Sequence, residues 1–221
     1  MTAAASRSWG ATHIVFDNFA AGNNYNVHSY QDFSCGQYQG PWYRIFYAMA
    51  FEPDKTVLLD KIDLGLTLYA GYNNADVLLM ADNGGLPGGT IESIRLTNVI
   101  PSYNGLRQPV VTATSALKPQ LQGGNRYWIA IGPGPNQYVA LYWHYNTVGY
   151  SGSAATAYTR DGTWFPWSAR TSSCAFRVVG SFSGCARPRS DLNGDCKVNI
   201  VDLAIFASDW LECGFENPAD C

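Results

Sequence analysis

Residues 56–68 read Thr56-Val57-Leu58-Leu59-Asp60-Lys61-Ile62-Asp63-Leu64-Gly65-Leu66-Thr67-Leu68, and this stretch decides the fold class. Successive side chains of an extended chain point to opposite faces, so Ile62, Leu64, Leu66 and Leu68 share one face. Working outward, segments of the same kind fall at 12–19, 41–51, 56–70, 75–81, 90–98, 108–114, 126–132, 138–147, 155–160 and 172–182. They are rich in Val, Ile, Tyr, Trp and Thr. Turn-forming clusters separate them, among them Asn73-Asn74, the run Asp82-Asn83-Gly84-Gly85-Leu86-Pro87-Gly88-Gly89 and Gly132-Pro133-Gly134-Pro135-Asn136. Ten strands at this spacing predict an all-β fold, a two-sheet β-sandwich of jelly-roll type over residues 12–183. The pattern breaks near 183–190, where Gly184, Arg187, Pro188 and Arg189 interrupt it.

Beyond the break, residues 184–221 read differently. Asp191-Leu192-Asn193-Gly194-Asp195-Cys196-Lys197-Val198-Asn199-Ile200-Val201-Asp202 places side-chain oxygens at loop positions 1, 3, 5, 9 and 12: Asp191, Asn193, Asp195, Asn199 and Asp202. The backbone carbonyl of Lys197 falls at position 7. Calcium takes six to eight oxygen ligands, and a twelve-residue loop running into a helix supplies them at this spacing. The following residues have helical periodicity, with Leu203, Phe206, Ala207 and Trp210 on one face and Gly214 placed to stop the helix. The expectation is a calcium-loop–helix module.

The run DLNGDCKVNIVDLAIFASDWLEC resembles one repeat of a type I dockerin, a calcium-binding module at the C-terminus of secreted bacterial proteins. Dockerins usually carry two repeats, and position 6, usually glycine, is Cys196 here. The body is also similar to a known family. Ile14-Val15-Phe16-Asp17-Asn18-Phe19, Leu79-Met80-Ala81-Asp82-Asn83-Gly84-Gly85-Leu86-Pro87-Gly88, Tyr127-Trp128-Ile129-Ala130 and Ala175-Phe176-Arg177-Val178-Val179-Gly180 resemble the secreted bacterial domains called choice-of-anchor, in particular the R type. Those domains are followed by interchangeable C-terminal attachment signals. The resemblance implies attachment outside the cell and carries over no catalytic residue.

Charge and cysteine usage point the same way. The net charge is −3, and residues 185–221 hold seven acids against three bases, so the body is nearly neutral. No basic stripe exists, which argues against nucleic acid as a partner. The cysteines stand at 35, 174, 185, 196, 213 and 221, with no C-x-x-C spacing, so disulfides in an oxidising, extracellular setting are the better reading. Six cysteines allow fifteen connectivities. The preferred set is Cys35–Cys174 in the body, with Cys185–Cys196 and Cys213–Cys221 in the tail. Cys196–Cys213 is disfavoured because the helix separates them by roughly 15 Å at about 1.5 Å per residue. No apolar run is long enough to span a membrane. The first residues lack a signal-peptide core, so export requires a signal outside this numbering.

Catalytic machinery is thin. Gly149-Tyr150-Ser151-Gly152-Ser153 lacks the final glycine and the strand-to-helix setting of a nucleophile elbow. His13, His28 and His144 show no metal spacing. The body's carboxylates, Glu52, Asp60, Asp63, Glu92 and Asp161, mostly stand at strand ends beside lysine or arginine. Aromatic residues keep a binding role open: Trp164 and Trp167, on one edge hairpin, could stack on a sugar ring. Trp42, Trp128 and Trp143 read as core. The leading reading is a non-catalytic, extracellular structural or attachment protein that uses calcium and binds other protein subunits through its termini. Thr12, Ile14 and Phe16 would pair with the nearest sheet edge, and Leu203, Phe206 and Trp210 would seek a partner surface. A carbohydrate-binding module for a polysaccharide is the alternative, and a polysaccharide-acting enzyme stands third.

Overall fold

The computed structural model describes residues 12–36, 43–134, 138–158, 163–167, 173–182, 190–193 and 198–210. The chain divides into a body, Ile14–Gly180, and a second unit comprising Met1–His13 and Ser181–Cys221. The fold is all-β: among the described residues fourteen strands precede one helix. A five-stranded sheet contains β1 (Thr12–Asp17), β14 (Phe176–Ser181), β4 (Val57–Leu64) and β8 (Val111–Thr114) in that order, with β9 (Gln120–Leu121) also on β4. The N-terminal strand thus pairs with β14 of its own chain. A nine-stranded sheet runs β5 (Leu66–Gly71), β11 (Val139–Tyr145), β2 (Asn26–Gly36), β3 (Tyr43–Phe51), β10 (Tyr127–Pro133), β6 (Asn74–Asn83) and β7 (Leu86–Thr97). From β3 it also extends through β12 (Ala154–Tyr158) to β13 (Trp164–Trp167).

The two sheets meet over aromatic side chains. Phe16 stacks on Phe176 with ring centroids 4.5 Å apart, and Phe51 and Trp143 approach Phe176 edge-on from the larger sheet. Trp143 also donates from its indole nitrogen to the Ala175 carbonyl at 3.0 Å, so the buried ring keeps its polar atom satisfied. The stretch expected to be one strand over 56–70 is two, and this corrects the sequence reading. Ile62, Leu64 and Leu66 are fully buried as anticipated, but the chain passes from the smaller sheet to the larger at Gly65. Gly65 donates to Ala175 (3.1 Å) and accepts from His144 (2.8 Å). A Cβ there would press on the Tyr25 ring at 3.3 Å, so the crossing point tolerates little beyond hydrogen.

The larger sheet is buried on both faces where β3, β10 and β6 run side by side. Odd-numbered Met49, Val77, Leu79, Ile129 and Ile131 form one core layer; even-numbered Ala48, Ala50, Met80, Trp128 and Ala130, with Ala155 of β12, form a second. Sheet order and proximity explain this second core. The run β13-β12-β3-β10-β6-β7 bends until β13 lies beside β7, and the alanines leave room for the Trp128 indole at the centre of the roll. The β6–β7 connection is the two-residue turn Gly84-Gly85, both at positive φ, between the paired Asn83 and Leu86.

The expected Cys35–Cys174 disulfide is not compatible with this register. Cys35 stands opposite Val139 and Cys174 opposite Tyr145, at the two ends of β11. That separation is about 20 Å at roughly 3.3 Å per residue, against the 7 Å or so that a disulfide spans between Cα atoms. Cys174 is a free, buried thiol whose sulfur donates to the Trp143 carbonyl. Cys185, Cys196, Cys213 and Cys221 lie outside the described residues, as do Trp42, Asp161 and Gly214.

In the second unit, α1 (Ile200–Trp210) follows the loop directly. Asn199 caps it: its side-chain oxygen accepts from the Val201 amide at 2.8 Å, while its carbonyl accepts from Leu203.

Candidate functional site

The acidic loop is organised around Asp202. Its Oδ1 accepts from the amides of Leu192 (2.7 Å) and Asn193 (3.2 Å), and its Oδ2 from Asn199 (2.8 Å). The last contact completes a reciprocal box with the Asn199 cap. These amides, Asn199 first, hold the Asp202 carboxyl below the usual carboxylate range. Asp191 and Asp202 are both buried, at 1% and 2% exposure. Two carboxylates withdrawn from water in one short loop require positive compensation, of which the amides supply part. Of the other oxygen-bearing side chains at the expected loop positions, Asn193 and Asn199 are described, and the Asn199 oxygen is engaged as the helix cap. Asp195 and Lys197, the expected ligands at positions 5 and 7, lie outside the described residues. Next to the loop an apolar groove of about 440 Å³ is lined by Leu192, Val198, Leu203 and Phe206, each more than a third exposed.

The tryptophans proposed for sugar stacking stand differently from expectation. Trp164 packs against the second core, beside Trp128 and Ala155, so much of its ring is engaged in covering that cluster. Trp167 occupies the position opposite Ala154, three residues further along β13, an odd spacing that does not put two residues on one face. Trp128 and Trp143 are fully buried core residues, as read from sequence.

His144 is enclosed rather than available. Its Nε2 lies 2.9 Å from the Thr67 hydroxyl, and the rings of Tyr25, Tyr30, Tyr103 and Tyr142 surround it at 5.1–6.5 Å. Burial lowers its pKa to about 4, partly offset by the Asn26 backbone. Tyr30 stacks on Tyr142 at 3.8 Å, and exposed Tyr69 lies 4.9 Å from the same ring. Burial, then the hydrogen bond to Tyr30, pushes the Tyr142 phenol upward.

The body's carboxylates are mostly committed to neighbours. Asp60 pairs with Lys118 and Asp63 with Lys61, while Thr112 donates to Asp63. Buried Glu92 accepts from the Ser115 hydroxyl and from the amides of Ala116 and Leu117. Glu52 is the exception in its setting: it borders a cleft of about 750 Å³ with Arg126, Phe16, Tyr150, Ser151 and Ser153. Arg126 binds Glu52 Oε1 through both Nε and Nη2 at 2.9 Å. Tyr150 lies edge-on to Phe16 at 5.2 Å, and burial followed by the Glu52 charge raises its phenol pKa. Sequence reading took Gly149–Ser153 only as a failed nucleophile motif. Its cleft neighbours arrive from separate segments that share no local signature.

No family model matches the chain, and no curated protein matches it. Among solved structures it is similar to the cysteine protease and lectin-like domains of Cwp84, a surface layer associated protein of Clostridium difficile. The TM-score is 0.41 with 12% identity, over 69% of this chain and 36% of that one. The chain therefore spans little more than a third of the length of that neighbour.

Proposed function

We propose that this protein is a non-catalytic extracellular attachment protein, a β-sandwich carrying a calcium-stabilised, dockerin-like tail that docks on another protein subunit. The observation that carries the reading is the loop at Asp191–Asp202: two buried carboxylates sit beside a helix whose apolar residues Leu203 and Phe206 are half exposed. Metal ligation would fix the loop and, through Asp202, the first turn of α1, presenting the apolar groove as a formed surface. Contiguous exposed apolar area of this kind commonly marks a protein interface. The absence of catalysis is supported by how the body's acids are used, since Asp60, Asp63 and Glu92 each neutralise or cap a structural neighbour.

Light scattering of the full chain in calcium and then in chelator tests the proposal, alongside capture of surface proteins from the producing cell. A calcium-dependent complex that Phe206→Ala abolishes is expected. A chain that stays monomeric in calcium and retains no partner would overturn it.

A further inference from the structure

We infer that the cleft bordered by Phe16, Glu52, Arg126 and Tyr150 is a binding site for a neutral saccharide. Its volume of about 750 Å³ falls within the usual range for small-ligand sites, roughly 300–1,000 Å³. Its walls offer two kinds of surface at once. Tyr150, 38% exposed as a residue, is held edge-on by Phe16, which is itself stacked on Phe176. An aromatic face of this sort takes the C–H side of a sugar ring. On the polar wall, both Arg126 contacts go to Oε1 of Glu52, so among the described residues Oε2 and Nη1 have no partner. An acceptor beside a donor suits two adjacent hydroxyls: one donates to the carboxylate while its neighbour accepts from the guanidinium. Ser151 and Ser153 add exposed hydroxyls.

Charge selects the ligand class. Glu52 and Arg126 are the charged residues of the described lining and cancel one another, so the cleft is electrically neutral. An anionic or cationic ligand would have to compete with the pair it displaced. The wall is also formed in advance. Buried Asn146 accepts from the amides of Val148 (3.1 Å) and Tyr150 (3.0 Å), and donates to the carbonyls of Tyr150 (2.8 Å) and Ser173 (2.6 Å). Gly152 donates to the Ser173 hydroxyl at 2.7 Å, and Ala50 to the Ser153 carbonyl at 3.0 Å. A loop tied at this many points loses little conformational freedom when a ligand arrives.

The inference does not rest on the calcium-bearing tail, and its test keeps the two apart. The full chain is run, with and without chelator, through affinity gels containing hydroxyethylcellulose, arabinoxylan, glucomannan, glycogen or polygalacturonate. Retained cases are then titrated calorimetrically. Retention by at least one neutral polymer, unchanged by chelator, is expected. Tyr150→Ala and Glu52→Gln should each weaken it about tenfold, the scale of one lost ring contact or charged hydrogen bond. Tyr150→Phe should stay within about threefold of wild type and Tyr69→Ala should match it. Circular dichroism confirms that each variant is folded; Glu52→Gln, at an exposed side chain, keeps the test usable should Tyr150→Ala unfold. The inference is overturned if no neutral polymer retains the chain, if polygalacturonate is preferred, or if retention survives Glu52→Gln combined with Tyr150→Ala.

Discussion

The indole nitrogen of Trp128 donates to the Asp82 carboxylate over 2.8 Å, tying the centre of the rolled sheet to the turn of the β6–β7 hairpin. The other carboxylate oxygen accepts from the Gly85 amide at 3.0 Å, so one side chain fixes both the turn and the ring. Trp128→Ala should cost about 3–5 kcal/mol, the usual range for emptying a packed aromatic site. Asp82→Ala keeps the ring but strands a buried N–H, for about 1–3 kcal/mol. Urea denaturation with fluorescence detection measures both, and an Asp82→Ala midpoint equal to wild type would contradict the link.

Acid should weaken the body through His144. Its folded pKa of about 4 lies below the ordinary value near 6.5, so the unfolded chain binds the proton more readily. Stability from this group is therefore complete above about pH 6.5 and falls between there and about pH 4, where the native state also protonates. Thermal melts across this window should show the decline, and His144→Gln, which keeps a polar side chain beside Thr67, should flatten it. Parallel curves for the two proteins would refute the assignment.

The Asp202 carboxyl titrates in the same sense, at lower pH. Its folded pKa lies below the unfolded value, so its contribution is present above about pH 3.9 and disappears as pH falls through the folded value. Calcium, if bound by this loop, adds stability by mass action, about 2.7 kcal/mol at a hundredfold excess over its Kd. Asp202→Ala should remove the calcium response of the tail in calorimetry and leave the sandwich transition in place. Isotope-edited NMR of the Leu192 and Asn193 amides would report the same loss locally.

Cys174 should be inert in the native protein. It is fully buried, and burial pushes its thiol pKa well above the ordinary range, so little thiolate exists at neutral pH and reagents cannot reach it. Iodoacetamide followed by mass spectrometry should label it only after denaturation. Recovery of a Cys35–Cys174 crosslinked peptide would overturn the register of β2 and β11.

The fold was legible where burial is simple. Tyr127–Pro133 and Val139–Tyr145 are buried along their whole length and read as strands from their apolar runs. Asn26–Gly36 was missed because its polar sequence reflects local cover: Tyr30 stacks on Tyr142, and Asp32 stands opposite that same ring on β11. β7 begins earlier than expected because Gly84-Gly85 suffices for the turn, which frees Pro87 and the glycines after it for the strand. Pro166 disguised β13, a short strand at the sheet margin where a missing N–H is tolerated. The acidic loop announced itself through contiguous spacing. The cleft did not, since Phe16, Glu52, Arg126 and Tyr150 are brought together only by tertiary packing.

Gly65 has a consequence for how the molecule opens. Its amide is bonded to Ala175 and its carbonyl to His144, and the strands on either side belong to different sheets. Neither sheet can peel away through this point without breaking the other, so partial unfolding routes that bypass it are closed. Exchange of the Gly65 and His144 amides with deuterium should therefore proceed only through global unfolding and rank among the slowest in the chain. Because this crossing joins Gly65 to residues 79 and 110 positions away in sequence, it should also form late and slowly when the chain refolds.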